Sequence, residues 1–230
     1  MIPELLSKES VQPNTSAILT NAVYFKADWS SRFWVSGDMP FHYFDGTTSD
    51  VDMMFQNTDF KYSEDEQVQV VELPYKGNEL SMLVVLPKSK EPSVMQTLIK
   101  YLSTTQITDW TKRLKQQDIL LNLPKFKIDE GYPMKAVLKD MGMPSVFGNQ
   151  AKFNVFKDSS PIAIDDIHHQ AVIDVNEIGT EAAAATGVVA VDISGSMYPP
   201  VAFKADHPFM FMIKDNKTDA ILFLGQVNKP

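Results

Sequence analysis

The alternation of apolar and polar positions along the chain predicts many strands and few helices. "SAILTNAVYFKADW" (16–29) is a continuous β-branched and aromatic run behind Pro13, the pattern of a strand covered on much of both faces and central in its sheet. "MPFHYFDGTTSDVDMMFQ" (39–56) predicts two strands about Asp45-Gly46, where glycine tolerates the positive φ of a tight turn. Residues 59–88 continue with three short strands separated by Glu64-Asp65-Glu66 and by Lys76-Gly77-Asn78, so an antiparallel meander is expected. "DILLNLPKFKID" (118–129), "HQAVIDVNE" (169–177), "PFMFMIKD" (208–215) and "AILFLGQV" (220–227) are further strands, the last two joined by a turn at Asn216.

Helical spacing is confined to three stretches. After Pro92-Ser93, the side chains of Val94, Leu98, Tyr101 and Leu102 fall on one face, and Thr105 is placed to cap a second helix carrying Ile107, Trp110 and Leu114. Met134, Val137, Leu138 and Met141 repeat at helical spacing and are closed by Gly142. No repeat, linker or low-complexity tract divides the 230 residues, so one domain is expected.

One segment departs from this alternation. "NEIGTEAAAATG" (176–187) directly follows a strand, yet its four alanines are the best of helix formers. Counted at the period of a strand, Thr180, Ala182, Ala184, Thr186, Val188 and Ala190 share a small and uncharged face. The charge of Glu181 falls on the other face, so the segment can enter a sheet without clash or an unpaired charge. This window alone leaves a plain alanine-rich surface helix open as the alternative.

Composition narrows the classes of function. Lys and Arg number 21 against 29 Asp and Glu, a net charge of -8 that opposes binding to phosphate backbones and anionic lipid. No stretch approaches a membrane span, and "MIPELLSKES" carries Glu4 and lacks the apolar run of a signal peptide. The absence of cysteine excludes disulfide and thiolate chemistry. Asn14-Thr15-Ser16 and Asn216-Lys217-Thr218 match the N-glycosylation pattern. Asp165-Asp166-Ile167-His168-His169 holds four metal-ligand side chains, but neighbours on a strand face opposite sides, so no metal site is expected. Ser194-Gly195-Ser196 lacks the strained turn of serine hydrolases and the glycines are scattered singly, so neither an enzyme nor a cofactor is expected. The acidic 64–66 run is expected to be a solvated turn, and the methionines, such as Met53, Met54, Met210 and Met212, to be core filler.

In this setting the chain resembles the serpins, protease inhibitors whose exposed reactive loop inserts into their own sheet. "NEIGTEAAAATGVV" is similar to the family's hinge and "TNAVYFKADW" to its central-sheet strand. "LPKFKID" is similar to the strand before its last helix, and "PFMFMI" and "FLGQV" to its C-terminal core strands. The resemblance implies an α+β, serpin-like fold with a mixed large sheet A, antiparallel sheets B and C, and short helices. It implies a chain that begins just before the third strand of sheet A, so that residues 1–230 form a single incomplete serpin domain whose N-terminal helical third is missing. Uncovered apolar sheet faces then predict poor solubility or a partner that fills the gap. A reactive-centre loop is expected at 178–200 with its hinge at 179–187.

Roles follow from the same resemblance. Gly179 and Thr180 match the start of the hinge, and Glu181, Ala182, Ala183, Ala184, Ala185 and Thr186 its small-residue segment. Asn21 with His169 matches the polar pair of the sheet-opening shutter, Trp29 the tryptophan of the breach where insertion begins, and Lys125 with Glu177 its ion pair. A purely structural role is the alternative for each. Ile178 stands where the family carries a charged or polar residue. The family's spacing counted forward from Gly179 gives Ile193-Ser194 as the reactive bond, and counted back from Pro208 gives Met197-Tyr198; the forward count is preferred because insertion length is set at the hinge. No Lys or Arg lies between Gly179 and Phe203, so a protease pocket with a buried carboxylate would be left unpaired.

The implied function is suicide-substrate inhibition of elastase-like or chymotrypsin-like, not trypsin-like, serine endopeptidases, the target protease being held as a covalent acyl complex. Papain-like cysteine proteases are alternative targets, and a non-inhibitory carrier, chaperone or storage serpin is the alternative class. The full-length protein is expected to be a metastable, secreted monomer with a cytoplasmic location as the alternative, and neither nucleic acid nor membrane is expected as a partner.

Overall fold

The computed structural model describes residues 5–6, 11–13, 15–148, 151, 153, 162–180 and 199–230. In chain order its elements begin with β1 (Ile18–Phe25), β2 (Ala27–Asp28), β3 (Trp34–His42), β4 (Thr48–Glu64), β5 (Val68–Pro74) and β6 (Leu80–Pro87). Helices α1 (Pro92–Tyr101) and α2 (Thr104–Arg113) follow, then β7 (Lys115–Pro124), β8 (Phe126–Pro133) and α3 (Lys135–Asp140). The chain ends with β9 (Asp166–Val175), β10 (Gly179–Thr180), β11 (Val201–Lys204), β12 (Phe209–Asp215) and β13 (Ile221–Val227). Contacts divide it into two units, residues 1–25 with 127–173 and residues 26–126 with 174–230.

In the first unit β1 lies parallel to β9, with partners running from Ile18↔Asp166 to Phe25↔Ile173, and β8 also pairs with β9. The sequence places β1 at the centre of its sheet and covers both its faces; the structure does not. Among the described residues β1 is bonded only to β9, and Leu19 and Tyr24 are exposed. A β-branched run reports fitness for a covered strand, but the cover itself must come from other segments. The helix expected around Met134–Met141 forms only over six residues, none of them buried, and Val137 and Met141 stay exposed. The strand expected at 118–129 is two strands, β7 and β8, divided at Lys125.

The second unit is built on an eight-stranded sheet in the order β11-β7-β4-β5-β6-β12-β13, with β3 also on β4. At 17 residues β4 is long enough to pair with β3 and β7 along one part and with β5 at its end, so the expected sheets B and C are hydrogen-bonded through it. The pair β11–β7 is parallel within this otherwise antiparallel layer. The expected meander is present as β4-β5-β6. Turns of this sheet follow local chemistry: Gly46 takes φ 82 between β3 and β4, and after β4 the Asp65 carboxylate accepts the N–H groups of Gln67 and Val68 at 2.8 and 2.9 Å. The 64–66 run is thus a side-chain-capped turn.

One face of this sheet carries Val68, Val70, Leu83, Val85, Met210 and Met212, and α1 and α2 cover it with Met95, Leu98 and Trp110. The buried face of α1 centres on Met95 and Leu98, and Tyr101 is exposed, because the covering stripe is rotated from the one the spacing marks. The cap of α2 is Ser103 in place of the expected Thr105: its extended backbone lets Oγ accept the Gln106 N–H at 3.2 Å, while Thr105 is already inside the helix. On β12 the opposite face buries Phe209, Phe211 and Ile213, and Phe126 packs on the two phenylalanines at centroid distances of 5.8 and 5.4 Å. Met53, Met54, Met82, Met95, Met210 and Met212 are all buried, as expected of core filler, whereas Met141 and Met143 are exposed and do not fill the core. Leu222 and Leu224 of β13 are exposed, the counterpart of the open side chains on β1.

Between β11 and β12, Asp206 accepts Lys90 Nζ at 2.9 Å and lies 2.8 Å from His207 Nδ1, and His207 Nε2 lies 2.7 Å from the Pro87 carbonyl. Burial opposes ionisation of Asp206, but the bonds with His207 and Lys90 outweigh it and hold the carboxyl down at about 2. A depressed folded value means stabilisation that is complete above the ordinary value of 3.8 and lost as pH falls towards about 2. Asp206→Asn should therefore lower the thermal midpoint at pH 7 but not at pH 2, a difference read from melting curves of the two proteins across that window. Trp110→Ala, which empties the site under α2, should cost about 3–5 kcal/mol in urea unfolding.

Candidate functional site

The site lies wholly in the second unit, where the chain leaves β9 and reverses. The Asn176 N–H donates to the Gly179 carbonyl at 2.9 Å, and Asn176 Oδ1 accepts the N–H groups of Ile178 and Gly179 at 3.1 and 3.4 Å. The returning segment, β10, pairs antiparallel with β2 through Gly179↔Asp28 and Thr180↔Ala27, and Thr180 pairs with Val175 on the other side. Two residues thus form a strand between the end of β9 and β2. Glycine is required for that approach, since a Cβ on Gly179 would lie 2.2 Å from the Ala27 carbonyl oxygen and 2.4 Å from Asp28 Cα.

Trp29 is the chief support of this reversal. It is 4% exposed, its indole Nε1 donates to the Asn176 carbonyl at 2.9 Å, and its backbone N–H donates to the Ile178 carbonyl at 2.8 Å. The Phe33 N–H reaches the Glu177 carbonyl at 2.8 Å, so all four carbonyls from 176 to 179 are satisfied. The indole stacks on Tyr75, with centroids 4.4 Å apart and planes at 10°, and meets Phe33 edge-on at 5.6 Å. Backbone bonds from Ser30 to Pro74 and from Lys76 to Asp28 tie this stretch to β5 and the turn after it.

Lys125, the residue that divides β7 from β8, holds the other side of the turn. Its Nζ lies 2.7 Å from Asp52 Oδ2 and 2.5 Å from Glu177 Oε1. Burial would lower its basicity, but the bonds to Asp52 and Glu177 prevail and raise it above the ordinary lysine value.

Of the residues singled out in the sequence, Trp29, Lys125, Glu177, Gly179 and Thr180 therefore come together in one site. Asn21 and His169 form a separate pair in the first unit, directly opposite each other in the β1–β9 register, with Asn21 Nδ2 3.3 Å from His169 Nδ1. His168 has a different neighbour, Asp166, at 3.5 Å. Glu181, Ala182, Ala183, Ala184, Ala185 and Thr186, and both candidate reactive bonds, Ile193-Ser194 and Met197-Tyr198, lie outside the described residues. The structure adds Asn176, Phe33, Tyr75 and Asp52 to the site. Asn176 had a local signal, because Asn first and Gly fourth in "NEIG" is a favoured turn chemistry.

Fold and site together define an α+β protein in which the segment following β9 starts a strand in a mixed sheet. The family model for serpins, described as serine protease inhibitors, matches residues 1–230, and the chain belongs to the serpin family. It is 37% identical over 236 residues to the leukocyte elastase inhibitor of Xenopus laevis, which covers 100% of this chain and 62% of that protein. Among solved structures it is similar to native protease nexin-1 with heparin, with a TM-score of 0.87, 32% identity and coverage of 100% of this chain and 62% of the other. It is also similar to uncleaved ovalbumin, with a TM-score of 0.84, 29% identity and coverage of 98% and 57%. The chain thus spans about three fifths of the length of the curated relatives it matches.

Gly179→Ala should push β10 away from β2, seen as faster amide exchange at Thr180 and a loss of about 1–3 kcal/mol of stability. Lys125→Met leaves the Asp52 and Glu177 carboxylates without their shared cation and should cost about 1–2 kcal/mol at pH 8. Because the folded value of Lys125 is raised, its stabilisation is full below the ordinary 10.5 and lost as pH climbs through the higher folded value. The difference between the two proteins in denaturant titrations should accordingly shrink on going from pH 8 to above pH 11.

Proposed function

We propose that the protein is an inhibitory serpin directed at elastase-like or chymotrypsin-like serine endopeptidases, with residues 1–230 belonging to one serpin domain and a reactive-centre loop at 178–200. The observation that carries this reading is β10: the hinge start, Gly179 and Thr180, is already a strand between β2 and the end of β9. The residues that follow, Glu181 through Thr186, have only one side chain larger than threonine. Strand addition of this kind is how serpin loops are known to act.

In this mechanism a protease attacks the loop as substrate and becomes acylated at Ile193, with Met197 as the alternative position. Cleavage frees the hinge, which extends β10 and carries the enzyme along. The run from Gly179 to Ile193 would span roughly 50 Å at about 3.3 Å per residue. If about a dozen backbone hydrogen bonds form at about 1 kcal/mol net each, insertion releases on the order of 10 kcal/mol. Distortion of the captured protease displaces its oxyanion donors and stalls deacylation. Entry of further residues beside β9 requires the β1–β9 ladder to exchange partners, and the Asn21–His169 pair is the polar cross-link within that ladder. The lack of Lys and Arg from Gly179 to Phe203 disfavours trypsin-like targets, and the leukocyte elastase inhibitors among the relatives favour elastase-like ones.

The test incubates the full-length protein with elastase, chymotrypsin, trypsin and a papain-like cathepsin. A complex that survives denaturing electrophoresis is expected with elastase or chymotrypsin and not with trypsin, with release of a peptide beginning at Ser194. A peptide beginning at Tyr198 would move the bond to Met197. A loop that is simply cut, with no adduct and no gain in thermal stability on nicking, would assign the protein to the non-inhibitory class.

A further inference from the structure

Asn176 stands in the turn between β9 and β10, which pair antiparallel at Val175 and Thr180. Loop insertion alongside β9 demands that the chain first turn back on itself, and the turn over 176–178 makes that reversal. Asn176 contributes four bonds to it: its N–H to the Gly179 carbonyl, its carbonyl from Trp29 Nε1, and its Oδ1 from the N–H groups of both Ile178 and Gly179. Only the last two depend on the identity of the side chain. Beside the Trp29 indole and the Lys125–Glu177 ion pair, this one side-chain oxygen is what binds the turn's own N–H groups, those of Ile178 and Gly179.

We propose that Asn176 is a positioning residue for loop insertion, a latch that keeps the hinge turned before any protease arrives. This rests on the inhibitory reading above. After acylation, insertion competes with hydrolysis of the acyl bond, and whichever is faster decides whether the protease is trapped or released. A hinge already reversed and paired at Thr180 has its first and least favourable ordering step behind it, so each later residue adds to an existing strand. Without Oδ1 the Ile178 and Gly179 N–H groups lose that acceptor, the turn opens more often, and insertion starts later. An oxygen acceptor at the same distance along the side chain, as in aspartate, keeps the latch.

Two measurements on the full-length protein separate this inference from the reading beneath it. Amide exchange of the uncleaved protein needs no protease: Ile178 and Gly179 should exchange about tenfold faster in Asn176→Ala than in the wild type and at near the wild-type rate in Asn176→Asp. Equal exchange in Asn176→Ala and wild type, or free exchange of both amides in the wild type, overturns the latch. The second measurement is the number of inhibitor molecules consumed per protease trapped, with the thermal midpoint of the uncleaved protein as control. It should rise several-fold in Asn176→Ala and return to the wild-type value in Asn176→Asp; a merely structural role would lower the midpoint and leave this number unchanged, which overturns the positioning role. Should Asn176→Ala fail to fold, Asn176→Ser, whose shorter hydroxyl holds the turn less well, should show the same two changes at smaller size. If wild type traps no protease at all, the inhibitory reading falls, and the exchange data report separately on the turn.

Discussion

A carbonyl group removed from water must find a donor, and the turn at 176–179 places four of them together. The structure answers with Trp29, which supplies two donors, and with Phe33 and Asn176, which supply one each. Each bond contributes only about 1 kcal/mol net, but an unmet carbonyl in this place would cost as much or more. The geometry of the turn is therefore tied to the position of one indole. That indole is fixed in turn by Tyr75 and Phe33, and the Trp29 stretch is bonded to β5 and the residue after Tyr75, so the site inherits its order from the sheet beneath it.

Charge is handled by the same rule. Lys125 meets two carboxylates, Asp52 and Glu177, and deeper in the sheet Glu72 meets Lys61 and Lys214 as well as the Ser81 hydroxyl. Burial opposes the ionised form of Glu72, but Ser81, Lys61 and Lys214 together hold it below the ordinary carboxylate range. The buried members, Glu72 and Lys214, lie near the ends of β5 and β12. Buried ions are tolerated there because each has more than one partner, which limits the penalty of desolvation.

Much of the second unit was legible in the sequence because its strands are read by their own residues. Continuous apolar runs in β6 and β12 correspond to strands buried on both faces, and the Asp45-Gly46 pair marked a true turn. The same reasoning failed for β1, whose composition is equally apolar but whose cover must come from elsewhere. It failed in smaller ways at Thr105, where Ser103 two residues earlier wins the cap, and at Tyr101, where the helix buries Met95 instead. Within the site, Trp29, Lys125, Glu177 and Gly179 were found through family likeness and then found together in space. Phe33, Tyr75 and Asp52 left no trace in the sequence, because their roles arise from contacts between segments far apart along the chain. Asn176 could have been found from turn chemistry alone.

The methionines show a further consequence of this packing. Met54, Met82 and Met212 are fully enclosed between strands, whereas Met141, at 73% exposure, and Met143 stand open to solvent beside a short helix. Oxidation of a thioether to a sulfoxide turns a pliable apolar group into a polar one, and its pace follows access. Among the described methionines, peroxide would therefore be consumed first at Met141 and Met143, and the interior sulfur atoms would become vulnerable only once the sheet had already come apart.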